Sequence, residues 1–142
     1  MVENQNNQES QEKQNGLILS DNNVELSVEM REEITKKVAE LRQQTGVKRI
    51  QVIAVAGDEF DEKPLYIGYF RRPNAMQFSL WMNMAQKDPI QANKNLAQNC
   101  FLGGDKALVD DEDLFLYGTM AKIATLVESR NADLVKLSSA AK

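Results

Sequence analysis

The sequence predicts an α+β fold: an antiparallel β-hairpin, or a small sheet built on it, packed with about four helices and preceded by a disordered polar tail. Three observations carry this reading. Apolar residues recur every three or four positions in several segments, which is the spacing of a helix face. Two short runs, residues 48–56 and 65–71, are rich in β-branched or aromatic residues and are joined by one polar stretch from Gly57 to Pro64. The chain has 142 residues, 42% hydrophobic and 27% charged, which suits one ordinary domain. The expected division is a flexible tail over 1–23 and a single α+β domain over 24–142.

The first fifteen residues hold almost no aliphatic and no aromatic side chain but many Asn, Gln and Glu. Such a segment cannot bury enough apolar surface to offset its ordering entropy. The short stretch Gly16 to Ser20 reads as a docking strand or part of a linker. From Ser27 to Thr45, Met30, Ile34, Val38 and Leu41 fall on one helix face, with Ser27 as the N-cap and Gly46 as the terminator. The opposite face carries Glu33, Lys36, Lys37 and Glu40 and is expected to be solvated. The hairpin follows, with Ile50, Val52 and Ala54 alternating on a face that needs a helical cover, since two strands alone are marginal in water.

Pro73 closes the second strand, and Asn74 caps a helix running to Lys87. Asp88 and Pro89 form the next start signal, for a helix expected to end at Gly103 and Gly104. Asp110 and Asp113 then suggest an acidic capping pair for a long last helix from Asp111 to about Leu137. Its core side would carry Leu114, Tyr117, Ala121, Ala124, Val127, Ala132 and Leu134.

Composition narrows the chemistry. There are 17 basic and 21 acidic residues, a formal net charge of −4, which argues against general nucleic-acid binding. No window approaches the about 20 apolar residues of a membrane span, and the N-terminus is polar where a signal peptide is apolar. A cytoplasmic protein is expected. Histidine is absent and cysteine occurs once, which removes imidazole-activated nucleophiles, thiolate metal sites and intrachain disulfides. The expectation is a non-enzyme without a metal or cofactor. The acidic loop Asp58, Glu59, Asp61 and Glu62 lacks the ligand spacing and central Gly of a calcium loop, so it reads as a solvated turn. Cys100 reads as a small core hydrophobe.

One helix exceeds what a fold requires. Between Asn74 and Lys87, the residues Met76, Phe78, Leu80, Trp81, Met82, Met84 and Ala85 spread over roughly 240° of the circumference, whereas a core stripe needs little more than 100°. Either the helix is buried on nearly all sides, or its Met-rich surplus receives a partner helix, since thioethers adapt to varied shapes. Met76, Leu80 and Met84 are the candidate partner-binding residues, with Trp81 as the core anchor. Arg71 and Arg72 are further candidates, for a phosphate or an acidic partner. Otherwise one pairs with a carboxylate while the other faces solvent.

The order of these features resembles a known family. Phe70, Arg71, Arg72 and Pro73 end a hairpin; a helix, Asp88-Pro89, a helix with Asn99-Cys100 near its end, a Gly-Gly-Asp turn, an acidic cap and a long final helix follow. The region 48–137 resembles small phage and prophage proteins of the tail assembly chaperone type. The resemblance implies a non-enzymatic protein in the cytoplasm of the bacterial host. It would bind the hydrophobic, helical tape measure protein while the tail assembles. A homo-oligomer is a separate expectation for its partners. The alternative is a virion structural or head-tail connector subunit that joins a neighbour through its sheet edge. A small enzyme using Asp or Glu ranks third.

Overall fold

The computed structural model describes residues 24–137 and shows an α+β architecture in which an antiparallel three-stranded sheet lies between one long helix and a group of shorter ones. The tail and the stretch Gly16 to Ser20 lie outside the described residues. Helix α1 (Val28–Thr45) starts where Ser27 Oγ accepts from Met30 N and stops at Gly46, whose φ of 76° is the left-handed conformation that glycine adopts without a Cβ clash. Strands β1 (Ile50–Ala56) and β2 (Leu65–Arg71) pair in full register from Ile50 opposite Arg71 to Ala56 opposite Leu65. The loop between them is tied by its own carboxylates: Asp61 accepts from Asp58 N, and Asp58 accepts from Phe60 N.

Helix α2 (Ala75–Ala85) opens with a reciprocal capping box between Asn74 and Gln77, and α3 (Pro89–Cys100) opens with Asp88 accepting from Gln91 N and Pro at the first turn. Here the structure departs from expectation. Helix α3 ends at Cys100, and Phe101–Gly104 forms β3 on the free side of β2. Gly104 does adopt a positive φ, 97°, but at the end of a strand and beside Gly68 of β2. A four-residue strand that is half glycine has little β propensity, so pairing rather than composition places it there.

The last helix is also different. Its segments are α4 (Ala107–Asp110), α5 (Glu112–Leu114), a wide π turn (Phe115–Thr119), α6 (Met120–Ile123) and a tight 3₁₀ turn (Ala124–Val127), after which Glu128 turns extended. Asp111, not Asp110, caps α5, its carboxylate accepting from Leu114 N. The buried side is Leu114, Phe115, Thr119, Ile123 and Leu126, whereas Tyr117 and Leu134 are exposed. The larger side chains Phe115 and Ile123 claim the core. Thr119 fits among them because its hydroxyl donates to Leu108 O at 2.7 Å, which cancels the cost of burying it. The run Glu128 to Asn131 is polar throughout and interrupts the apolar spacing before Ala132 and Leu134.

The sheet separates two cores. On one face Ile50, Val52, Ile67, Tyr69 and Leu102 meet Leu26, Ile34, Val38 and Leu41 of the α1 layer. On the other, Ile53 and Phe70 pack with Leu96, Cys100, Val109, Phe115, Ile123 and Leu126, and Tyr66 with Leu108 and Leu114. Alternation along each strand assigns neighbours to opposite cores: Tyr69 joins the first and Phe70 the second. Full burial of each large aliphatic or aromatic side chain contributes ~1.5–3 kcal/mol.

Candidate functional site

Helix α2 attaches to the body by one side. Trp81 Nε1 donates to Asn93 Oδ1 of α3 at 2.9 Å, and the indole ring leans on Phe78 at a centroid distance of 5.9 Å. Gln77, Trp81, Met84 and Ala85 are half-buried on that side, and no residue of α2 is fully buried. The reading of α2 as a helix buried all round is therefore overturned. Its outer surface is apolar: Met76 is 81% exposed, Met82 49%, Leu80 46% and Phe78 37%. At the helical step of about 100°, Met76 and Leu80 form one flank, Phe78 and Met82 the other, and Ser79 and Asn83 a polar spine between them. The helix contains no charged residue.

Of the predicted binding residues, Met76 and Leu80 share the outer surface, whereas Met84 lies half-buried at its inner margin. The two arginines are not organised as an anion clamp. Arg71 donates to neutral oxygens: Nη1 to Arg72 O at 3.0 Å and Gln77 Oε1 at 3.1 Å, and Nη2 to Asn99 O at 3.0 Å. The guanidinium thus ties the end of β2 to α2 and α3, and the carboxylate partner expected for one arginine is not what it meets. Arg72 is half-buried, with Nε lacking a hydrogen-bond partner among the described residues. Arg71 positions α2, and neither arginine belongs to the helix's outer face.

A concavity of about 360 Å³ lies between α1 and the sheet and is lined by Glu33, Lys36, Lys37, Glu40, Tyr69 and Asp105 among others. The charged face of α1, expected to be simply solvated, forms its rim. Burial raises the Tyr69 phenol above its ordinary pKa, helped by Glu33 and Asp105. Asp105 accepts from Ile67 N at 2.8 Å and from Lys63 Nζ at 2.5 Å, and this partnership raises the Lys63 ammonium above its usual value. Asp105 serves the sheet end, and the rim mixes both signs of charge. Cys100 is buried as expected, and burial pushes its thiol up to about 11 against a weaker opposing effect of Arg71.

No helix among the described residues is long and apolar enough to cross a membrane. No protein-family model matches the chain, and no curated protein matches it. A solved structure of the uncharacterised protein rbstp2171 from Bacillus stearothermophilus is similar, with 20% identity and a TM-score of 0.45 over 69% of this chain and 98% of that one. A likeness of that size carries no functional argument.

Proposed function

We propose that the protein is a non-enzymatic binding protein of the phage tail assembly chaperone type, which holds an apolar, helical client on the outer face of α2. One observation carries the reading: a helix without charge, attached by one side only, with Met76, Phe78, Leu80 and Met82 left open. Unbranched thioethers at two of these positions let the surface fit a client of varying sequence, and desolvation of both apolar faces supplies the affinity. The resemblance over 48–137 names the client as the tape measure protein, and the acidic net charge of −4 keeps the loaded chain dispersed.

The test is co-expression with a hydrophobic helical segment of a tape measure protein. Met76→Glu with Leu80→Glu is expected to weaken capture at least tenfold, because charge is placed in the centre of a desolvated contact. Capture that survives the double substitution, with far-UV circular dichroism unchanged, rejects the reading. The connector alternative has its own support in β1, which pairs with β2 on one side only among the described strands. Mass spectrometry of purified particles separates the two: a connector stays in the virion and an assembly chaperone leaves.

A further inference from the structure

The last described segment, after Val127, is an arm without helix or strand, and its apolar residues are uncovered: Leu134 is 83% exposed, Val135 84% and Leu137 94%. The same chain leaves the outer face of α2 uncovered. We infer that two copies of the chain exchange these arms, each arm lying lengthwise on the α2 of the other copy. This goes beyond client binding and does not depend on it, since it needs only the two uncovered surfaces; arm and client occupy the same face, so each excludes the other.

The match is one of spacing. In an extended chain alternate side chains point to opposite sides, so Val135 and Leu137 share one side about 6.6 Å apart and Leu134 takes the other. Four residues along α2, from Met76 to Leu80 or from Phe78 to Met82, advance about 6 Å. An arm laid along the polar spine therefore sends side chains to both apolar flanks, while Ser79 and Asn83 offer hydrogen bonds to its backbone. By the same alternation Asp133 falls on the side of Val135 and Leu137, at the start of the contact, and Lys136 on the side of Leu134, where its long stem lies along the uncharged helix and carries the ammonium out to water.

Area decides between one-way and two-way contact. At the observed exposures the arm presents roughly 450 Å² and the α2 face about 430 Å², so mutual exchange buries at most about 1,750 Å² in total, within the size range of a stable interface. A one-way contact buries about half of that, below the usual range for a specific complex. A closed, two-fold pair is therefore the form favoured over an open chain of contacts.

Sedimentation equilibrium of the full chain across a concentration series tests this. The expected result is a species of twice the 16.0 kDa chain mass. Leu134→Asp with Leu137→Asp changes only exposed arm residues, and it is expected to weaken dimerisation at least tenfold without altering circular dichroism. Met76→Asp with Met82→Asp should do the same from the other side of the contact. Mixed chains carrying Met82→Cys and Val135→Cys separately should form an inter-chain disulfide. A chain that remains monomeric throughout overturns the inference, and so does a dimer that either pair leaves unchanged. The arm pair also separates this inference from the chaperone reading, because it leaves α2 open for client capture.

Discussion

At the level of single residues, three positions join one local group to the core chemistry around it. Thr119 is a polar residue on a buried stripe, and its hydroxyl is satisfied by donating to the Leu108 carbonyl. Gly118 lies so close to β1 that an added Cβ would come within 2.7 Å of Val55 Cγ1, so the π turn packs directly on the strand. Cys100, buried at the end of α3, is the third. Its pKa rises from 9.0 to about 11, so between those values the native thiol keeps its proton while the unfolded thiol loses it. The native state then binds more protons, and stability falls as pH rises. Stability present below pH 9 is expected to diminish by on the order of 2 kcal/mol between about pH 9 and pH 11. Urea denaturation of the wild type and Cys100→Ala across that range isolates the effect from Tyr69, which also titrates high. Equal slopes in the two proteins would reject it.

Among the elements, α2 shows how packing sorts residues that look alike in sequence. Met76, Trp81 and Met84 all belong to one apolar run, yet Met76 is open, Met84 is half-buried, and Trp81 is half-buried and hydrogen-bonded to Asn93. Met76→Glu should therefore change stability by less than about 0.5 kcal/mol. Trp81→Ala should cost roughly 2–3 kcal/mol, less than full burial would demand, and leave Asn93 without its donor. Met84→Glu, placing charge at the inner margin, should cost about 1–3 kcal/mol, contrary to the sequence-based placement of Met84 beside Met76. Chemical denaturation of the three variants checks the order, and a Met76→Glu loss equal to that of Trp81→Ala would show α2 to be covered. The caps of α1, α2 and α3, and both hairpin strands, were legible because local side chains decide them. Strand β3 and the π turn were not, since one depends on pairing with a distant strand and the other on Thr119 and Gly118 fitting a core that only the assembled fold defines. The outer face of α2 was half legible: the surplus of apolar residues shows in sequence, but which ones face outward depends on where α3 docks.

For the whole molecule, the sheet between two cores makes the layers mutually dependent. Neighbouring residues of β2 serve opposite sides, Tyr69 with Ile34 and Leu41, Phe70 with Leu96, Cys100 and Phe115. Loss of α1 exposes one face of β1 and β2 and leaves the remaining strands poorly supported, so α1 should not unfold by itself. The chain offers two separate reporters of this coupling. Its 18-residue α1 supplies much of the far-UV helical signal, and its single tryptophan, Trp81, sits in the opposite layer on α2. Helical ellipticity and tryptophan fluorescence are expected to follow one urea transition, with a common midpoint. Ile34→Ala, which opens a cavity under α1, should lower stability by about 2–5 kcal/mol and move both signals together, although Ile34 and Trp81 belong to different cores. An ellipticity loss that precedes the fluorescence change, or an Ile34→Ala shift confined to ellipticity, would mean that α1 detaches as a separate unit and that the sheet with its α2–α3 side stands alone.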